Sequence, residues 1–577
     1  MSRPSIADRS RRFLCQHRSA LITSLAILCF CSTIVVAESP TSPEEISAVT
    51  SAVASAPDPQ EGKATTVAMK GAQPATAAAE KPATQGAAAA ATSTKKQPAE
   101  APNTITIKKV SDSMPTDPTF RRYFVPVMEC QKYDYMREQG WDIQSIVTGD
   151  TVGQDIVRKQ MAKYGLFFQG MSLSTFAWNT LDPPVKKSDQ SSIGDRAFYG
   201  GNHEWQMIYN FPQSSVLKDA QIVSAATFNT NTMTELYGAH ALRMNKLSYH
   251  QYFFNKRFAI KGGYVTSDLD WMNNFLAGNM LTGAMGLKGV IPYVVGMTHL
   301  PVGTPGFNIK VVPVKHTYVK LGIQQSEVIK NSMADEVEDV SHDASGFRIH
   351  KPNAHAMYLG EVGYKREAAH GGVKDVYIRA GGEYNFSRFW NFKNITLPAL
   401  ATGEIPGQTK DTIRKGDYAT WFLADYQLLQ TDPHLPYRGV YAGTSVMNSP
   451  ASPNLYQAYY EGRIYAVGII PHRYFDIMAL QFTNTQFSPT VLNGYKAIVE
   501  AQTFNPSTGS MVVPKQYGAS ASGIAYYTYR IVSGTYLQTG LSYNMHPGPM
   551  YLGSNPTKMA QGLKDTLTLN VGFSMLF

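Results

Sequence analysis

The sequence predicts an all-β fold, a transmembrane antiparallel β-barrel of about 16 strands, with 18 as the alternative count. Only 16% of the 577 residues are charged, whereas soluble proteins usually have about 25%. From residue 104 onward, apolar residues recur at every second position, which is the period of a strand with two different faces. The chain also ends on an aromatic residue, Phe577, at the close of such a strand.

The first 37 residues have the order of a secretory signal peptide. Five arginines come first, an apolar stretch covers residues 20–36, and Ala37 offers a small residue at the cut position. We expect export and cleavage near Ala37, with a permanent membrane anchor as the alternative. Three of the four cysteines leave with this segment. The remaining one, Cys130, can form neither an internal disulfide nor a cysteine-based zinc site.

Residues 38–103 are rich in Ala, Thr, Pro and Lys and contain no aromatic residue and no Leu. Such a segment buries too little apolar area to offset its ordering entropy, so we expect a disordered periplasmic tether. Contact with peptidoglycan is the functional alternative to a simple spacer. Residues 104–577 then form the barrel domain, in which we expect a short helix between Tyr133 and Gln139 ahead of the strands.

The last twelve residues show the strand alternation most clearly. Polar or small residues at 566, 568, 570, 572 and 574 alternate with apolar ones. Similar alternation surrounds Trp205, Ile378 and Leu541, and Phe254-Asn255-Lys256-Arg257 is a turn between two predicted strands. The apolar positions of the last strand are Leu567, Leu569, Val571, Phe573, Met575 and Phe577, of which Phe573, Met575 and Phe577 are predicted to be the outer-membrane assembly signal.

A strand with one apolar and one polar face needs a dry side and a wet side. In an outer-membrane barrel these are lipid and lumen, and closure satisfies every backbone group. A soluble β protein, in which a second sheet covers the apolar face, is the alternative. At roughly 25–30 residues per strand, the 474 residues from 104 to 577 give 16 to 18 strands. Barrels of that size enclose an aqueous channel.

Sequence motifs for other chemistry are missing. The HExxH pattern fails at Met207, the GxSxG pattern fails over residues 170–174, and the 13 histidines are scattered. The net charge of +9 is not gathered into a Lys/Arg-rich stripe. We therefore expect no enzyme, no cofactor, no metal site and no nucleic-acid partner.

Four segments resemble the carbohydrate-selective porin family of the OprB type. They are LSYHQYFFNKRFAIKGGYVTSD (Leu247–Asp268), VYIRAGGEYNFS (Val376–Ser387), the stretch Tyr437–Ser488 and the closing strand pair Thr535–Phe577. The family's Gly-Asp-Trp-Gly-Gly opening is absent, and only Tyr133–Trp141 is similar to the helix after it. The resemblance implies passive diffusion of small carbohydrates across the outer membrane of a Gram-negative bacterium.

Sugars bind through aromatic faces and through charged or amide side chains that pair with hydroxyls. By the same resemblance, Arg473 and Asp476 are expected to form a structural pair at a strand end. For each polar candidate, the alternative is an ion pair of the lumen wall that only shapes the field. The pore-lining candidates are Arg379, Glu383, Asp425, Gln427, Tyr459, Glu461, Arg463 and Tyr465.

Two other functions stay open at this point. One is a nonspecific or anion-leaning general porin, and the other is the outer-membrane channel of an exporter of polysaccharides or other solutes. The expected partners are small carbohydrates, outer-membrane lipids, the barrel assembly machinery and, through residues 38–103, peptidoglycan. A homotrimer is a further expectation.

Overall fold

The computed structural model describes much of the region that the sequence assigns to the barrel. The described residues are 136–138, 155–181, 197–231, 242–271, 291–298, 302–327, 354–369, 371–394, 413–503, 517–546 and 565–576. The signal peptide, the tether, Cys130, Phe577 and most of the helix expected at 133–139 lie outside them. The described residues all belong to one compact unit, Lys95–Phe577.

Sixteen strands form a closed barrel in which each strand pairs antiparallel with its sequence neighbours, and β1 closes onto β16. This confirms the fold class and the count of 16. The strands are β1 (Leu166–Asn179), β2 (Ala197–Asn210), β3 (Ala220–Asn231), β4 (Leu242–Phe253), β5 (Phe258–Val265), β6 (Thr304–Val311), β7 (Thr317–Gln325), β8 (Ala356–Arg366), β9 (Val376–Trp390), β10 (Ile413–Gln430), β11 (Gly439–Asn448), β12 (Tyr456–Val467), β13 (Ile477–Phe487), β14 (Ala519–Val532), β15 (Thr535–Met545) and β16 (Thr566–Leu576).

The two faces of each strand differ as the alternation predicts. In β16, Leu569 is 47% exposed, whereas the neighbouring Thr568 and Asn570 are 2% and 0% exposed. The same alternation is seen around Trp205, Ile378 and Leu541, which all point outward. An apolar outer face is stable only in lipid, and the polar inner face lines the lumen.

Aromatic side chains mark two levels on the outer face. Tyr358, Tyr384 and Tyr418 lie side by side on β8, β9 and β10, all at least 43% exposed. Tyr426, eight residues further along β10, is also exposed. At a rise of about 3.3 Å per residue, it lies about 26 Å from Tyr418 along the strand. The separation along the barrel axis is smaller because the strand is tilted. Such rows are typical of the aromatic girdles at the two membrane interfaces.

At one end of the barrel, called here the short-turn end, the connections between strands have 2 to 9 residues, and at the other end they have 7 to 38. The turn Phe254–Arg257 is confirmed, and Asn255 within it has a φ of 55°. Four α-helices are described: α1 (Asp155–Ala162), α2 (Asp268–Trp271), α3 (Ile291–Val295) and α4 (Pro489–Thr503), together with a 3-10 helix at Phe392–Asn394. Within the described ranges, every helix is too short or too polar to cross a membrane.

Two helices of the connection between β5 and β6 lie inside the lumen, α2 and α3. α3 packs against the inner faces of β9, β10 and β12. The Asn385 Nδ2 of β9 donates to the carbonyl of Val295 at 2.5 Å. Trp271, Ile291, Val294 and Val295 form an apolar cluster with inward side chains that include Leu359, Trp421 and Leu423. Part of the lumen is therefore filled by α2 and α3.

Asp375 stabilises the connection between β8 and β9, at the short-turn end, through hydrogen bonds. Its Oδ1 accepts from the Ala368 N–H at 2.5 Å, and its Oδ2 lies 2.9 Å from the Tyr441 hydroxyl. That hydroxyl also lies 2.7 Å from the carbonyl of Tyr437. Since the hydroxyl has one proton, both contacts are satisfied only when Asp375 brings a proton of its own. Burial raises the pKa of Asp375 to about 6, although the hydrogen bonds lower it.

We expect Asp375→Asn to raise the free energy of unfolding by about 1 kcal/mol at pH 7 and above, because an amide donates to Tyr441 without a proton being taken up. In the wild type, the contribution of Asp375 is full below the unfolded pKa of 3.8 and is lost as the pH rises through about 6. Urea unfolding across this range measures both effects. A variant less stable than the wild type above pH 7 would contradict this assignment.

Candidate functional site

Arg463 is the centre of a buried polar group on β10, β11 and β12, called here the arginine cluster (Arg463, Asp425, Glu461, Ser445, Tyr459 and Tyr465). The Nε and Nη2 of Arg463 bind the two oxygens of Asp425 at 3.1 and 2.8 Å. Its Nη1 donates to Glu461 at 2.6 Å and to Ser445 at 3.0 Å. Each of the three guanidinium nitrogens therefore has a hydrogen-bond partner.

The tyrosines of the arginine cluster complete the pairing of its carboxylates. Tyr459 donates to Glu461 at 2.6 Å, and Tyr465 donates to Asp425 at 3.0 Å. Gly443 makes room on the intervening strand, because a Cβ there would lie 2.5 Å from both Arg463 Nε and Asp425 Oδ1. Five of the eight pore-lining candidates thus meet in one self-satisfied network of the barrel wall.

Gln427, Arg473 and Asp476 lie towards the short-turn end. Gln427 donates to the carbonyl of Pro436 at 2.7 Å and accepts from the Asp375 N–H at 3.2 Å, so it holds turns together. Arg473 binds both oxygens of Asp476 at 2.7 and 2.9 Å, immediately before β13 begins. The two residues of the expected structural pair therefore contact each other.

Arg379 and Glu383 on β9 keep unused polar atoms. Arg379 Nη1 donates to the Tyr377 hydroxyl at 2.9 Å, but its Nε and Nη2 have no hydrogen-bond partner among the described residues. Both oxygens of Glu383 also lack a hydrogen-bond partner in this part of the chain. Buried polar atoms are normally satisfied, so water or a solute is the expected partner of these atoms.

Trp421 lies between Arg379 and Glu383. Its backbone is directly opposite Gly381 in the β9–β10 pairing, and its ring fills the space that a Cβ of Gly381 would enter. The indole N–H donates to Glu361 at 3.0 Å, which fixes the ring. The order along this wall is therefore a cation, an aromatic ring and a carboxylate. Sequence reasoning missed Trp421, although its inward position follows from the alternation of β10.

A second charged group, called here the lysine cluster, lies on the opposite part of the wall and consists of Lys246, Lys261, Glu138, Glu204 and Asp270. The carboxylate of Glu138 is 3.1 Å from both Lys246 Nζ and Lys261 Nζ. Lys261 also binds Asp270 of α2 at 2.9 Å, and Lys246 is 3.7 Å from Glu204 of β2. Burial alone would raise the pKa of Glu138, but the two lysines hold it well below its usual range.

The lysine cluster was not among the sequence candidates. Lys246 and Lys261 occupy inward positions that the alternation of β4 and β5 could have identified. Glu138 gave no such signal, because it precedes the first strand. Lys320 continues the polar wall from there, since it binds Glu361 at 2.8 Å and its ammonium lies 5.0 Å from the centre of the Trp271 ring.

A family model described as carbohydrate-selective porin, OprB family, matches residues 218–568. The chain belongs to this family. The porin is therefore an outer-membrane channel for carbohydrates, as the four resembling segments indicated. The family and the fold are those of channels rather than of enzymes. No curated protein sequence matches the porin.

Among solved structures, the Pseudomonas putida OprB structure at high pH is 13% identical, with a TM-score of 0.58 over 76% of this chain and 100% of that one. Its low-pH structure is 10% identical, with a TM-score of 0.41 over 74% and 98% of the two chains. A mutant Rh. blastica porin is 7% identical, with a TM-score of 0.36 over 71% and 100%. The first of these supports the 16-stranded fold.

Across the described ranges of the porin, no group of three or more His, Cys, Asp or Glu residues is arranged to hold a metal ion.

Proposed function

We propose that the inner wall of β9 and β10 is where this porin recognises sugars, through Arg379, Trp421 and Glu383. The observation that carries the proposal is the set of unused atoms: two guanidinium nitrogens and two carboxylate oxygens on either side of an aromatic ring. The hydroxyls of a sugar can accept hydrogen bonds from Arg379 and donate hydrogen bonds to Glu383, and its C–H groups can pack on the ring of Trp421. Passage is passive, driven by the concentration gradient.

The helices α2 and α3 cover this wall. Arg379, Trp421 and Glu383 are all at most 4% exposed. Arg379 Nη1 also donates to the carbonyl of Trp271 at 3.4 Å, and α3 packs against β9 and β10. A sugar therefore reaches the wall when α2 and α3 move aside. Weak binding at such a site allows a solute to enter and still leave.

The arginine cluster has a structural role in this proposal. Arg463, Asp425, Glu461, Tyr459 and Tyr465 satisfy one another, so they stabilise the wall and shape the field in the lumen. Gln427 and the Arg473–Asp476 pair hold turns.

Planar-bilayer conductance with added glucose tests the proposal. A sugar that binds inside the lumen obstructs ions, so we expect the conductance to fall in a saturable way as the glucose concentration rises. The matched additive is a solute of similar size without paired hydroxyls, which should lower the conductance only through viscosity. Equal effects of the two solutes would favour the general, anion-leaning porin instead.

Deleting residues 38–103 separates a diffusion pore from an exporter channel. A diffusion pore keeps glucose uptake without the tether, because the barrel alone supplies the path. An exporter that docks a periplasmic partner through the tether would lose its function. Pull-down with peptidoglycan tests the remaining role proposed for the tether.

Maturation and assembly are also proposed. Cleavage near Ala37 predicts a mature chain that begins at about Glu38, which mass spectrometry of the outer-membrane protein measures.

The porin is proposed to be a homotrimer. Native electrophoresis in mild detergent tests this, and migration as a single chain would contradict it.

A further inference from the structure

The charged residues of strands β4 to β7 are all basic. None of these four strands contains Asp or Glu. Five Lys and Arg side chains of these strands face the lumen, because their cross-strand neighbours are also inward-facing residues. These are Arg243, Lys246, Lys261, Lys310 and Lys320.

Among the described residues, four acids that contact or lie near this basic wall come from other parts of the chain. Glu204 belongs to β2, Glu361 to β8 and Asp270 to α2. Glu138 alone among these four comes from the segment that precedes β1, and it is separated from Lys246 by 108 positions. It is also the acid that contacts two of the five cations at 3.1 Å.

The short segment 136–138 is attached to the inner wall by more than its charge. Met136 packs in an apolar cluster with Phe167, Ile208 and Val223. The carbonyl of Arg137 accepts from Gln221 Nε2 at 2.8 Å. Apolar, backbone and ionic contacts together hold Glu138 at a fixed place in the lumen.

We propose that Glu138 is a selectivity-determining residue of the pore. Its carboxylate is a fixed negative charge that limits the attraction of the basic wall for anionic sugars. Such sugars carry a carboxylate or a phosphate. The proposal deepens the carbohydrate function and rests on it. A lumen lined by one sign of charge concentrates solutes of the opposite sign. Rings of charged side chains set the ion preference of pores in the same way. Without Glu138, Lys246 and Lys261 lose the carboxylate that both of them contact at 3.1 Å.

The test uses the full mature chain with Glu138→Gln and Glu138→Lys in planar bilayers under a KCl gradient. We expect the reversal potential to move towards that of chloride, further for Lys than for Gln. In liposomes, we expect the uptake of glucuronate relative to glucose to rise about fivefold for Glu138→Gln, the factor for one unit charge at close range in water. Lys246→Gln combined with Lys261→Gln should move the reversal potential the opposite way, towards potassium.

Asp432→Asn is the matched control. It removes one negative charge from a turn, where Asp432 pairs with Arg438 at 2.6 Å, and we expect the wild-type reversal potential. Heat-modifiable migration in gels shows that each barrel is folded. A folded Glu138→Gln barrel with the wild-type reversal potential and wild-type glucuronate uptake would overturn the proposal. Failure of the carbohydrate function is distinguishable, because the wild-type chain would then pass no glucose while its reversal potential could still be measured.

Discussion

Replacing Arg463 by Leu is expected to destabilise the barrel by about 3–5 kcal/mol, the usual cost of removing one partner of a buried ion pair. Arg463 is 3% exposed and neutralises two carboxylates, Asp425 and Glu461. Both would stay buried without a cation, while the tyrosines that donate to them cannot replace its charge. Urea unfolding of the porin in lipid vesicles, followed by tryptophan fluorescence, measures the loss.

Two further variants separate the charge effect from simple loss of packing. The triple variant R463L/D425N/E461Q should recover most of the stability, because a network without charges leaves no carboxylate unpaired. Arg438→Leu breaks a contact of equal length, 2.6 Å to Asp432, and a hydrogen bond from its Nε to the carbonyl of Gly468 at 2.7 Å. Because Arg438 lies in a partly exposed turn, this loss should cost about 1–2 kcal/mol. A loss for Arg463→Leu no larger than that for Arg438→Leu would show that the arginine cluster does not stabilise the wall.

Replacing Arg379 by Gln is expected to weaken the block of conductance by glucose by roughly 10-fold or more. The reason is that hydrogen bonds to a charged group contribute about 1.5–3 kcal/mol. The two unused nitrogens of Arg379 are the donors that a sugar oxygen would accept from. Titrating glucose against single-channel conductance gives the half-blocking concentration for the wild type and the variant.

Arg379→Lys keeps the charge but loses the two-pronged donor geometry, so its glucose block should lie between those of the wild type and Arg379→Gln. Arg473→Gln serves as the control for loss of charge, since Arg473 pairs with Asp476 outside the lumen wall of β9 and β10. An unchanged half-blocking concentration in Arg379→Gln would remove β9 from the sugar path.

The fold could be predicted from the sequence because strand alternation is a local signal. Leu569 and Asn570 differ in polarity, and each lies on the face that its polarity requires. The inward direction of Arg379, Glu383 and Arg463 followed from the same period. The closing strand and the strand count also needed only chain length and the period of two.

The pairing of the site residues could not be predicted, because it depends on contacts between distant parts of the chain. The position of Trp421 opposite Gly381 is set by the register of β9 on β10. Glu138 and Lys261 are 123 positions apart, and no sequence period connects them. The placement of α2 inside the barrel likewise depends on which inward residues leave room for it, as Gly322 does for Trp271. Local patterns thus showed which residues face inward but not which of them are already satisfied.

Osmotic swelling of liposomes that contain the purified porin tests the central claim most directly. The claim is that the polar inner faces of sixteen strands enclose a path that sugars cross without energy input. Vesicles placed in isotonic glucose should swell at a rate proportional to the amount of porin, and larger oligosaccharides should give slower swelling. Vesicles with folded porin that do not swell in any monosaccharide would contradict the account.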